Sequence, residues 1–223
     1  IKKAKEFGHT SIAITDHGVV QAFPEAMEVG QELGIKILYG VEGYLVNDMS
    51  KIISLDTDGE FDNEYIVFDI ETTGFSNTTD EITEIGAVKI KDKEIVGRYG
   101  QLINPMRAIP LKVQELTGIT YDLIKNMPLI DEVLPEFLDF VGDSVMVAHN
   151  SDFDMGFMRA KAKRLNLSFS NKDIDTLKLS RLLLPNLKRH KLNVVTKHLG
   201  ISLENHHRAV DDAEATALMF IKF

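Results

Sequence analysis

The chain has 223 residues, a formal net charge of −9, 44% apolar and 26% charged residues, and no cysteine. This fits one large domain or two small ones of ordinary globular composition, and excludes disulfides and thiolate metal sites. No apolar run nears the ~20 residues of a membrane span, no secretory leader is recognisable, and the acidic balance speaks against a broad electrostatic grip on duplex DNA; a cytoplasmic protein is expected.

The first residue, Ile1, opens directly into a helix-like stretch, and Leu218–Phe223 read as the middle of an apolar helix face. A longer polypeptide, cut at both ends, is therefore expected. Residues 11–15, SIAIT, predict a buried strand, residues 20–33 a helix closed by Gly34, and residues 35–46 a second strand. That spacing suggests a βαβ unit with a parallel pair, too short to be a complete domain. Residues 47–63 turn polar and acidic, with Asp56, Asp58, Glu60 and Asp62 close together. Residues 49–63 read as a linker between a unit at 1–48 and another at 64–223.

The second unit opens with the strand Tyr65–Phe68, followed by strands at 82–92 and 94–104 whose short turn at Lys91–Lys93 makes an antiparallel hairpin. Helical patterns follow at 111–116, stopped by Gly118, and at 130–142, where Pro135 would kink the helix. A strand at 144–150 leads into a helix at 151–167 capped by Ser151 or Asp152. Further helices are predicted at 176–184, 192–200 and 207–222. Three strands with antiparallel pairing, then helices around at least one further strand, make a mixed α/β layered domain of about 160 residues. No internal repeat or low-complexity tract is found.

Acids gather at the ends of these elements. Along the first strand of the second unit side chains alternate, so Asp69 and Glu71 share one face. Two like charges there repel unless a cation, a basic side chain or a divalent metal, sits between them. Asp154, in HNSDFD at 149–154, falls in the first turn of a helix. Asp211 and Asp212, in HHRAVDD at 206–212, fall in the first turns of the last helix. Acids at helix starts are favoured anyway, which explains Asp154 singly but not the strand pair.

Asp69-Ile70-Glu71-Thr72, HNSDFD at 149–154 and HRAVDDA at 207–213, in this order, resemble the three motifs of the DnaQ-like (DEDD, histidine subtype) 3′→5′ exonucleases, over about 64–223. The resemblance implies an RNase H-like fold. It implies that Asp69, Glu71, Asp154 and Asp212 hold two divalent ions, Mg²⁺ or Mn²⁺, and that His207 is the general base. Hard carboxylate oxygens suit those ions, and a histidine titrates near neutrality. His206 with Asp211 has the same spacing as His207 with Asp212, but successive helix positions lie about 100° apart, so both pairs cannot face the site equally.

The resemblance also implies that backbone at Thr72, Thr73 and Gly74 meets the 3′-terminal nucleotide. Phe153 either packs near that nucleotide or belongs to the core. His149 and Asn150 either line the pocket or serve structure, and Glu84 contacts the terminal sugar or is a solvated or salt-bridged edge residue. The basic run LKRHK at 187–191, with Arg159, Lys161, Lys163, Arg164, Lys178 and Arg181, either holds the phosphates of a single strand or is a solvated face.

In the first unit, Asp16, His17 and Glu42 finish strands, and TDHGVVQAFPEA with YGVEGYLV resembles part of a PHP domain (polymerase and histidinol phosphatase). Asp16, His17 and Glu42 match two of its motifs; the others are absent, so any metal site would be incomplete. A PHP segment followed by such an exonuclease resembles the PolC-type replicative polymerases, in which the exonuclease is inserted within the PHP domain. The expected function is then proofreading: hydrolysis of 3′-terminal phosphodiesters in single-stranded or frayed DNA, with the rest of the polymerase chain and replisome proteins as partners. Rival readings are an RNA exonuclease of the same fold, a non-catalytic binding module, and a PHP-type phosphoesterase.

Overall fold

In a computed structural model the described residues are 1–43, 64–203 and 208–223. The chain divides into two units, Ile1–Asp48 and Met49–Phe223. The linker expected at 49–63 lies outside the described residues.

In the first unit, helix α1 (Lys2–Glu6) leads to strand β1 (Ser11–His17), helix α2 (Phe23–Leu33) and strand β2 (Lys36–Glu42). β1 and β2 pair in parallel, from Ser11↔Lys36 to His17↔Glu42. The intervening helix carries the chain back between the two strands, as a parallel pair requires. Among the described residues of this unit, the buried apolar side chains are Ala26 and Ile35 alone, while Leu38, Tyr39 and Val41 stay exposed.

The second unit runs β3 (Glu64–Thr72), β4 (Ile82–Lys91), β5 (Glu94–Leu102), α3 (Leu111–Thr117), α4 (Tyr121–Ile124), α5 (Ile130–Val141), β6 (Val145–Ala148), α6 (Ser151–Arg164), β7 (Asp173–Asp175), α7 (Thr176–Leu183), α8 (Leu192–His198) and α9 (Ala209–Lys222). The sheet order is β5-β4-β3-β6-β7. β3 is antiparallel to β4 and parallel to β6. The hairpin turn places Asp92 and Lys93 at φ 52° and 66°, the left-handed pair that matches strand twist.

The period of two in β3 divides two cores. Ile66, Phe68 and Ile70 pack on one face with Leu134 and Phe137 of α5 and Met155, Phe157 and Met158 of α6. Val67 packs on the other with Val88, Val147 and Ala217 of α9. Asp69 and Glu71 continue the Val67 row, so both point to the face that α9 covers.

Several boundaries differ from the sequence expectation. β3 does not stop at Phe68 but runs to Thr72, because β4 keeps pairing opposite it, with Asp69 against Gly86 and Glu71 against Glu84. α5 continues through Pro135. β7, the tripeptide Asp-Ile-Asp, has no apolar run to announce it, and its strand character comes from pairing with β6. α6 is entered not from a Ser151 or Asp152 cap but from Asn150, whose φ of 73° turns the chain sharply out of β6. Ser151 is instead buried inside the first turn and donates its hydroxyl to Asp173.

Candidate active site

The site forms where neighbouring strands part. β3 and β6 pair only over Tyr65–Val67 and Val145–Val147. Beyond that, the chain leaves β6 through Asn150, and the backbone N–H of Ile70 donates to Asp154 Oδ1 at 3.3 Å. Asp154 thus sits in the gap between two carboxyl-terminal strand ends, the place where open α/β sheets bind ligands. Its helix start is held by Asp175, whose Oδ1 accepts the N–H of Asn150 at 3.0 Å and that of Leu177 at 2.8 Å.

The other wall is α9, seated on the sheet at a glycine. A Cβ on Gly86 would lie 2.1 Å from both the Ala209 carbonyl carbon and the Val210 nitrogen. Gly86 is the cross-strand partner of Asp69 and of Gly100, and a Cβ on Gly100 would lie 2.6 Å from Val210 Cγ2. Bare backbone at Gly86, with Gly100 leaving room for the Val210 side chain, lets the helix start lie over the sheet. Glu84 then fixes it. Its carboxylate accepts the Ala209 N–H at 3.2 Å and the Arg208 guanidinium at 2.9 Å. Anions are favoured at a helix N-terminus, and this one is 2% exposed. Glu84 is therefore a salt-bridged residue, as one of its two sequence readings has it, but a buried one that anchors a helix rather than an edge residue facing water.

One turn into α9, Asp212 meets the β3 acids. Oxygens of Asp69, Glu71 and Asp212 lie within 4.8 Å of one another, the one such ligand group among the described residues. Asp154 stands beside this trio rather than in it, lining the same cleft of about 200 Å³ with Phe153, Asn150 and His149. Asp211 is outside the cluster. Between the two sequence alternatives, the geometry brings in Asp212. His206 and His207 lie outside the described residues.

Crowding these carboxyls disfavours their charge. Burial, then Asp154, Glu71, Asp212 and Glu84, push the Asp69 carboxyl well above the usual range. Glu71 is pushed up to about 8 by burial and by Asp212, Glu84 and Asp154, against the opposing Arg208. Asp154 rises to about 8 chiefly through burial, although its own N–H and that of Ile70 favour its anion. Such a cluster at neutral pH holds protons or cations. Hard oxygen donors in this number suit Mg²⁺ or Mn²⁺, so the residues present fit a divalent metal centre.

The remaining candidates fall into place around the cleft. Thr72 donates its hydroxyl to the Gly74 carbonyl at 2.6 Å, and Thr73 accepts the Glu81 N–H at 3.0 Å, so both side chains shape the turn after β3. That turn is braced from below by Lys161, 2% exposed, which donates to the Asp80 carbonyl and pairs with Glu81 at 3.1 Å. Phe153 packs on Phe157 at 5.1 Å and lines the cleft. His149 lines the cleft too, yet both ring nitrogens are engaged, with the His190 carbonyl at 2.8 Å and Thr176 at 3.1 Å. The carbonyl can only accept, so Nε2 donates to it, and burial pulls the ring's pKa down. In the first unit, His17 Nδ1 at the end of β1 lies 3.3 Å from Glu42 Oε2 at the end of β2, and Asp16 precedes His17 on β1.

Sequence reading passed over three contributors. Asp175 carries a legible signal, an N-cap before the apolar run of α7. Arg208 is a cation at a helix start, against the usual preference, and so a hint of a buried acid nearby. Phe75, next to Gly74 and 93% exposed, stands at 6.4 Å from Phe153.

A family of exonucleases matches residues 66–220, which include all four acids and most of the second unit. The chain belongs to that exonuclease family. The exonuclease is 54% identical over 97% of its length to "DNA polymerase III PolC-type" of Clostridium perfringens, and 51% identical over 100% to that of Caldanaerobacter subterraneus subsp. tengcongensis. It spans only 15–16% of the length of these relatives. Among solved structures, Exonuclease X in complex with 5′ overhanging duplex DNA is similar, with TM-score 0.59 and 28% identity over 71% of this chain and 89% of that one. E. coli Exonuclease I bound to single-stranded DNA shares the fold, with TM-score 0.66 at 20% identity over 72% of this chain and 40% of that one.

Proposed function

We propose that this exonuclease is the proofreading module of a PolC-type DNA polymerase III and removes nucleotides from frayed or mismatched single-stranded 3′ ends. The observation that carries the reading is the meeting of Asp69, Glu71 and Asp212 oxygens within 4.8 Å, beside Asp154. The 54% and 51% identities to PolC-type chains support the placement in a replicative polymerase of the bacterial cytoplasm, among replisome proteins. Residues 1–48 belong to the same proposal as part of a PHP domain, with Asp16, His17 and Glu42 an incomplete ligand set.

In this reading Asp69, Glu71, Asp212 and Asp154 hold two divalent ions, Mg²⁺ or Mn²⁺. Ions bound there supply a water of lowered pKa and a positive field for the departing oxygen. His207 takes the proton of the attacking water. The water oxygen bonds to the terminal phosphorus, the bond from phosphorus to the penultimate O3′ breaks, and a nucleoside 5′-monophosphate leaves a strand with a fresh 3′-hydroxyl. Backbone at Thr72, Thr73 and Gly74 and the Phe153 ring position the terminal nucleotide. Glu84 serves by anchoring Arg208 and the start of α9, which keeps Asp212 against Asp69.

The test is degradation of a 3′-mismatched DNA oligonucleotide with Mg²⁺ or Mn²⁺, beside a matched RNA, with EDTA and Asp69→Ala as controls. Stepwise shortening of the DNA from the 3′ end, lost in both controls, is expected. Wild-type turnover by Asp69→Ala would overturn the assignment of the acids, and preference for RNA would overturn the substrate.

A further inference from the structure

A second hollow, of about 930 Å³, opens beside the acidic cleft and shares His149, Asn150 and Leu192 with it, so the two adjoin. Their charges are opposite. Arg181, Lys188, Arg189 and Lys191 line this groove, and no acidic residue does. All four are exposed.

The basic side chains of this region divide sharply. Arg159 is spent on Asp173, Lys161 and Arg164 on Glu81, and Lys178 on Asp152 and Asp175. Among the described residues, no carboxylate pairs with Arg181, Lys188, Arg189 or Lys191. In a chain of net charge −9, four cations left without acids along one groove are a concentration of positive field.

The loop that carries three of them is tied to the catalytic side. The His190 carbonyl accepts from His149 Nε2 at 2.8 Å. Its ring Nδ1 lies 3.0 Å from Ser180 Oγ, which itself donates to the Leu177 carbonyl, so Nδ1 carries the proton. Lys188, Arg189 and Lys191 thus flank a residue bonded both to the strand β6 end and to α7.

We propose that Arg181, Lys188, Arg189 and Lys191 form a phosphate track that holds a single nucleic-acid strand behind its 3′-terminal nucleotide. The inference rests on the exonuclease reading of the acidic cleft and adds where the rest of the strand lies. A flexible polyanion fits a groove of unpaired cations better than a folded partner does, because each phosphate can seek its own cation.

The experiment uses the full chain and the double variant Lys188→Ala/Arg189→Ala, both positions being exposed loop residues. Lys163→Ala, exposed on α6 and outside the groove, is the charge control. Binding to a fluorescent 12-nucleotide single strand, as DNA and as RNA, is followed in EDTA against salt. Loss of two phosphate contacts should reduce the slope of log K against log salt by about 1.4. With metal, KM for the 12-mer should rise about tenfold or more at unchanged kcat, while an aryl ester of thymidine 5′-monophosphate, which has no strand, should be hydrolysed as before. Unchanged slope and KM in the double variant, or an equal change in Lys163→Ala, would overturn the track. If the wild type proves inactive on every substrate, the binding arm still decides: a slope lowered in the double variant alone upholds the track, and a wild type that does not bind the strand refutes it.

Discussion

The seat of α9 on the sheet makes Gly86→Ala a sharp test of how the acids of the site are held. The added Cβ would stand 2.1 Å from two backbone atoms at the helix start, where nothing can rotate away. Ordinary carbon contacts begin near 3.5 Å, so the first turn of α9 must retreat by about 1.4 Å. Asp212 rides on that turn, and Asp69 is the direct partner of Gly86 across the sheet. A misplacement of about 1 Å in a catalytic constellation costs ~100-fold in rate. Overpacking of this kind costs about 1–3 kcal/mol, which for a domain of this size lowers Tm by roughly 2–12 °C.

The measurement is metal-dependent degradation at 25 °C, where the variant remains folded, together with a melting curve. Gly97→Ala is the control, since a Cβ there meets Lys89 Cβ at 3.5 Å and Phe140 at 3.8 Å, ordinary contacts. A second comparison separates backbone from side chain. Gly100→Ala strikes Val210 Cγ2, so Val210→Ala should restore Gly100→Ala but not Gly86→Ala. Gly86→Ala with wild-type activity and melting would refute the claim that bare backbone at this point sets the distance between Asp212 and Asp69.

Other outcomes follow from the same geometry. Mn²⁺ should raise the Tm of the wild type, and Asp69→Asn should abolish that rise yet raise Tm in EDTA, because it removes a carboxyl that crowding forces to take up a proton on folding; a lower Tm in EDTA would refute this. Glu81→Gln should cost about 3 kcal/mol at pH 7 by leaving buried Lys161 unpaired, as read by urea unfolding. Against burial, which raises it, Arg164 and Lys161 hold the Glu81 pKa down, so its contribution is present above the unfolded value and lost as pH falls through the folded one; the two proteins should converge in stability at acid pH. Phe75→Ala should leave Tm unchanged and raise KM for a single strand by about 5- to 150-fold, one stacked base, and an unchanged KM would mean the ring touches no substrate.

Much of this site is written in local pattern. Alternation along β3 puts Asp69 and Glu71 on one face, and the helix starts at 151 and 209 carry Asp154 and Asp212, because those facts need only strand and helix periods. What cannot be read locally is which acids meet. The trio excludes Asp154 because Asp154 is drawn to the free N–H of Ile70, and that N–H is free only because β6 ends early. Glu84 looked equally like a sugar contact and a surface ion pair, since its partner Arg208 is 124 residues away. The basic cluster around LKRHK read as one patch, and only the folded ion pairs separate the spent cations from the unpaired ones. Asp175 and β7 were missed for the opposite reason: three residues are too few to show a period.

Holding four acids together opposes folding, and the way the chain bears that cost explains its architecture. The repulsion is confined to one end of the β3 row, while the same strand drives two hydrophobic cores, one on each face, with Ile66, Phe68 and Ile70 against α5 and α6 and Val67 against α9. Each acid is also fastened by something other than its charge: Asp154 by an N–H of β3, Asp212 by a helix clamped through Glu84 and seated on Gly86, Asp69 and Glu71 by the ladder to β4. The ladder, the helix clamp and the glycine seat do not depend on ionisation of Asp69, Glu71 or Asp212, so that trio stays assembled whether it holds protons or cations. A site so built is preorganised, and under the proposed two-ion reading divalent ions would bind by displacing protons rather than by gathering ligands.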